Sequence, residues 1–79
     1  MEVFIKEKIR VVSLFEAGKI KPLLFSWRKR LYKIIEVAFS YSKNLGQEKV
    51  FYFSVQTAGG NFEISFNREK FSWEMERSL

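Results

Sequence analysis

The chain contains no cysteine and no histidine, and all of its acids are glutamate. Without cysteine there is no disulfide framework, no thiolate zinc site and no thiol nucleophile. Without histidine the side chain most often used as general base and metal ligand is also missing. Proline occurs once, at Pro22, and threonine once, at Thr57. No apolar run approaches the roughly 18 residues needed to cross a bilayer as a helix. Residues 1–17 lack the apolar core and small-residue cleavage pattern of a secretory leader. A cytoplasmic protein with no membrane attachment is expected.

The serines are scattered, and none sits in a Gly-x-Ser-x-Gly elbow. Gly59-Gly60 lacks the strand-to-helix setting and the Lys-Ser/Thr pair of a phosphate loop. Glu74 and Glu76 share a strand face, which reads as a solvated surface and not as an acid/base pair. The expectation is therefore a non-enzyme with no catalytic residues, no metal site, no cofactor and no small-molecule substrate.

What the chain does have is apolar bulk in a short length. Its 79 residues predict a single small β domain over 1–79. A chain of this size buries only about 60% of its unfolded surface, so it needs a dense core or a partner. Fourteen aromatics, nine of them Phe, supply large apolar areas from few residues.

Apolar positions recur mainly with period two. Val3, Ile5, Ile9 and Val11 alternate with Lys6, Lys8 and Arg10, while Glu7 interrupts the apolar row and predicts a bulge or a late strand start near Lys8. Glu16–Lys19 reads as a turn. Pro22 opens a second run with Leu23, Phe25 and Trp27 on one face, and Arg28-Lys29-Arg30 reads as a hairpin tip. Residues 31–40 are apolar on both parities, as in a bent strand that serves two sides of a barrel. The polar stretch 41–48 reads as the longest loop. Residues 49–57 and 62–66 read as strands around an Ala58-Gly59-Gly60-Asn61 turn. After a turn at 67–70, Phe71, Trp73 and Met75 mark a last short strand, and 77–79 a tail. The sum is an all-β meander of five or six antiparallel strands, barrel-like or strongly bent.

Charge is uneven along the chain. Residues 1–33 hold nine cations against three Glu, and residues 34–79 hold five cations against six. A one-sided basic surface is the electrostatic footprint of a polyanion binder. Arg28, Lys29, Arg30 and Lys33 cluster at one hairpin, with Lys19 and Lys21 expected nearby. Tyr32, Trp27, Tyr41 and Tyr52 are candidates to stack on unpaired bases. Trp27 also shares parity with Leu23 and Phe25, which favours a mostly buried indole. Glu36, between apolar neighbours, predicts a partly buried carboxylate paired with Arg28 or Arg30. No helix-turn-helix, RNP or KH signature is present, so any nucleic-acid binding is expected to be non-specific. The alternative is a protein–protein interaction module, or a homodimer that buries Phe39, Phe51 or Trp73.

The segment Leu24–Val37 resembles a family of small bacterial domains of unknown function with a Phe-x-Trp-Arg-x-Arg-x-Tyr-x-apolar-x-Glu-apolar pattern. The strand pair 51–55 and 61–64, and Trp73-Glu74, extend the likeness to residues 20–77. The resemblance implies an association with Y-family translesion polymerases, hence a DNA-repair setting, but no activity. Relatives commonly carry Gly where this chain has Lys29.

Overall fold

The computed structural model describes residues 3–79. Six strands follow one another: β1 (Val3–Glu16), β2 (Lys19–Trp27), β3 (Arg30–Leu45), β4 (Glu48–Thr57), β5 (Gly60–Asn67) and β6 (Ser72–Ser78). Each pairs antiparallel with the next, and β6 returns to β1, so the meander closes into a ring. The all-β expectation holds. Among the described residues no helix is long and apolar enough to cross a membrane.

β1 changes partners midway. Val3–Ile9 pairs with β6 and Arg10–Glu16 with β2. Two irregularities bend it: one between Phe4 and Glu7, where Lys6 adopts a φ of 59°, and one between Val12 and Ser13. The first is the bulge that Glu7 predicts. At the second, Pro22 stands opposite Ser13, at a bulge, one of the few positions in a sheet that suit proline.

Alternate side chains of the strands fill the interior. Phe25, Phe53, Val55, Phe62, Ile64, Phe66 and Met75 form the buried cluster, with Trp27, Tyr32 and Trp73 packed against it. Phe25 stacks on Tyr32 at 5.0 Å, and Phe62 meets Phe25, Trp27 and Tyr32 edge-on. Edge-to-face contacts of this kind add to the area term.

Two boundaries differ from expectation. The stretch 41–48 is no loop: β3 runs to Leu45, and Gly46, at φ 63°, closes a tight turn into Glu48. Its polar residues misled because they lie on the outer face and free edge of a strand. The 77–79 tail is also ordered, since β6 extends to Ser78 and the Leu79 N–H donates to the Asn61 carbonyl at 2.8 Å.

The ring is not evenly closed. β2 and β3 pair only from Leu24↔Lys33 to Trp27↔Arg30. Beyond Lys33, β3 bonds to β4 alone, which leaves residues 34–45 with one unpaired edge.

Candidate functional site

The outer surface divides into two faces of opposite character. One belongs to the second half of β1, to β2 and to the start of β3. Its cross-strand rows are Arg10–Ser26–Leu31, Val12–Leu24–Lys33 and Leu14–Lys21. Arg10, Lys21 and Lys33 are exposed there, between exposed Val12, Leu14 and Leu31. Glu16, opposite Lys19, is the acid at its far end. Where β1 leaves β6 for β2, a hollow of about 300 Å³ is lined by Lys8, Arg10, Ser26 and Arg28 with Ile9 and Trp27.

The opposite face, on β3–β6 and the start of β1, is concave and holds carboxylates. Glu63 is only 5% exposed. It accepts from the Tyr41 hydroxyl at 2.9 Å and from Arg77 Nε at 3.1 Å. Glu76 accepts from Ser65 Oγ at 2.6 Å and from Lys6 Nζ at 3.0 Å, and Lys6 also reaches Glu74 at 3.3 Å. Glu48 accepts from Asn67 and lies 3.8 Å from Lys70. Burial, then the hydrogen bond to Glu63, pushes the Tyr41 phenol up to about 12. Burial also raises Tyr52. Burial opposes the charge on Lys6, but the hydrogen bond and charge of Glu76, then of Glu74, outweigh it and raise its pKa. Glu48, Glu63, Glu74 and Glu76 are each answered by a donor or a cation, which is the pattern of a structural network.

The predicted site residues are therefore spread out. Lys29, Arg30 and Lys33 stay together at the β2–β3 turn. Lys19 and Lys21 lie toward the other end of β2, with Lys21 three residues along the strand from Leu24, the partner of Lys33. Arg28 is not free: its guanidinium pairs with Glu7 at 2.8 Å and lies 4.5 Å above the Trp27 ring. That hydrogen bond, with a second from the Trp27 indole, holds the Glu7 carboxyl below its usual range.

The aromatic candidates for base stacking turn inward or are otherwise engaged. Tyr32 is half-buried against Phe25 and Phe62, because its parity faces the interior. Trp27 is half-buried and not fully enclosed, since it caps the end of the ring with its N–H on Glu7 at 2.8 Å. Tyr52 is buried, and Tyr41 is bonded to Glu63. Glu36 is exposed and, among the described residues, forms no ion pair with Arg28 or Arg30. Bulges after Ile34 and Val37 rotate it to the outer face. Glu74 and Glu76 are no solvated pair, because Lys6 bridges them.

Arg10 belongs to the basic face, although the hairpin-centred expectation leaves both it and Lys8 out, and Lys8, opposite Glu74, stands at the border with the carboxylate face. Their alternation with Ile9 and Val11 already marks them as outward-facing. Among the described residues no group of acids could hold a metal ion. Comparison with protein-family models, curated proteins and solved structures finds no match.

Proposed function

We propose that this chain is a non-enzymatic module that binds nucleic acid through its phosphate backbone, without reading bases. The observation that carries this is the separation of charge. Glu7, Glu48, Glu63, Glu69, Glu74 and Glu76 are each bridged by a cation, on the concave face or at the ends of the ring. Arg10, Lys19, Lys21, Lys29, Arg30 and Lys33 form no such pair among the described residues and lie on or beside the β1–β2–β3 face, with Glu16 opposite Lys19 and Glu7 held by Trp27 and Arg28 at the β2–β3 end. Lys8, Lys43 and Lys49 also form no ion pair among the described residues, so the β1–β2–β3 side holds six of nine such cations. Unpaired cations release counterions on meeting phosphates, and that release drives non-specific binding. The hollow beside the Glu7-bound Arg28 offers Lys8 and Arg10 as cationic donors and Ser26 as a hydroxyl donor to a single phosphate. Stacking plays little part, because Tyr32 and Trp27 belong to the core. The DNA-repair setting implied by the resemblance, and a cytoplasmic location, belong to the same proposal.

Anisotropy with labelled single-stranded and duplex oligonucleotides tests it. Arg10→Glu with Lys33→Glu should abolish binding, whereas Lys70→Gln on the opposite face should leave it unchanged. No binding at about 50 mM salt would overturn the proposal. It would favour a second reading, supported by exposed Val12, Leu14 and Leu31 between the cations: contact with an acidic, partly apolar protein surface.

A further inference from the structure

The free edge of β3 has an unusual internal symmetry. Its outer-face residues are set by their partners on β4: Glu36 opposite Gln56, Phe39 opposite Ser54, Tyr41 opposite Tyr52 and Lys43 opposite Val50. Val37, Ser40 and Ser42 lie opposite Val55, Phe53 and Phe51, and so face inward. The extra residue Ala38, bulged between Val37 and Phe39, keeps both sets in phase.

From this we infer that two copies of the chain pair antiparallel through their β3 edges, with a two-fold axis at Ser40. In that register Ser40 faces Ser40 of the second copy, Phe39 faces its Tyr41, Val37 faces its Ser42 and Glu36 faces its Lys43. Each pair except the first occurs twice, and every pair joins residues of the same face, as an antiparallel ladder requires. Two opposite charges meet on each side of the axis, and each Phe39, 60% exposed and 5.6 Å from the Tyr41 ring of its own chain, gains a second aromatic partner. A slip of one residue would set Glu36 against Ser42 or Asn44 and pair Phe39 with an inward-facing residue. The edge carries no proline to block pairing.

The position of β2 leaves room. Past Lys33 it no longer follows β3, and the flank between them is an open hollow of about 350 Å³, with Ile20 on one side, Ser40 and Ser42 on the other and Phe53 at its base. Edge pairing would extend the β3–β6 sheet across the axis and cover that flank. It uses neither Arg10, Lys33 nor the hollow of the phosphate-binding proposal, although Lys19 lines the flank that it covers, so binding by the Arg10→Glu with Lys33→Glu chain tests that proposal separately.

The absence of cysteine makes the register directly testable. A Ser40→Cys chain should cross-link to a dimer under mild oxidation, since facing Cα atoms about 4.5–5.5 Å apart satisfy disulfide geometry. Ser42→Cys, whose counterpart is Val37, should remain largely uncross-linked. By analytical ultracentrifugation the unmodified chain should be dimeric at about 100 µM, a concentration above the dissociation constant of an edge pair of micromolar strength. Glu36→Lys or Lys43→Glu alone should weaken the dimer by about tenfold or more, and the two together should restore it. A chain that stays monomeric, charge reversals without effect, or equal cross-linking at 40 and 42 would overturn the inference. Circular dichroism of each variant separates lost pairing from lost folding.

Discussion

The indole N–H of Trp27 donates to Glu7 Oε1 at 2.8 Å, although the two residues lie at distant points of the chain, one at the end of β2 and one at a bulge in β1. Arg28 completes the cluster through Nε and Nη2 on the same carboxylate. This contact closes one end of the ring and explains why a Glu interrupts an otherwise apolar strand. It also takes Arg28 out of the pool of free cations.

Acid should loosen this end. The Glu7 pKa is lowered by the hydrogen bond from Arg28 and then by that from Trp27. A depressed carboxylate stabilises the fold above its unfolded value of 4.5 and loses that contribution as pH falls through its lower folded value. Glu69 adds in the same direction, chiefly through the Lys49 backbone N–H. Urea midpoints should therefore fall as pH drops below 4.5, and less steeply in Glu7→Gln. An unchanged slope in that variant would remove Glu7 from the account.

Alkali should act through Tyr41. Its phenol, raised by burial and then by Glu63, ionises near 12 in the folded chain instead of near 10.0. A raised pKa means stability is full below 10.0 and is lost as pH rises toward 12. Ultraviolet phenolate titration should show one late tyrosine, absent in Tyr41→Phe. That variant should lose about 1–3 kcal/mol, because a buried Glu63 loses one of its donors.

Trp27→Ala should cost roughly 3 kcal/mol of stability, because the indole packs on Phe62 and Tyr32. Trp27→Phe should keep most of the packing and leave oligonucleotide affinity within about twofold, since the ring is no stacking platform. A large loss of affinity in a well-folded Trp27→Phe chain would return Trp27 to the binding surface.

Lys29→Gly should stabilise the β2–β3 turn. Arg28 and Lys29 sit at φ 51° and 65°, both in the left-handed region. Such a conformation costs a residue with a Cβ about 1 kcal/mol, which Gly avoids at some cost in chain entropy. Thermal melting should show a small rise in Tm, and a fall would mean that the lysine side chain holds the turn.

The strand count, most turns and the Glu7 bulge were legible because they rest on local alternation and turn chemistry. The extent of β3 was not, since Tyr41, Lys43 and Leu45 alternate on an outer face where polar and aromatic residues mix. Nor was the concave carboxylate face. Lys6 meets Glu74 and Glu76 only because β6 returns to β1, a contact across nearly the whole chain. Glu36 misled because its bulge-rotated direction depends on the register with β4. Tyr32 looked like a surface residue beside four cations, yet parity with Phe25 and Phe62 draws it inside.

The most direct test of the phosphate-binding account is the salt dependence of single-strand affinity. With up to six unpaired cations, and about −0.7 per phosphate neutralised, the log–log slope should fall between about −2 and −4. It should become shallower by roughly 0.7 for each of Arg10 and Lys33 removed. Affinity that does not change with salt, or a slope indifferent to those two residues, would contradict the account.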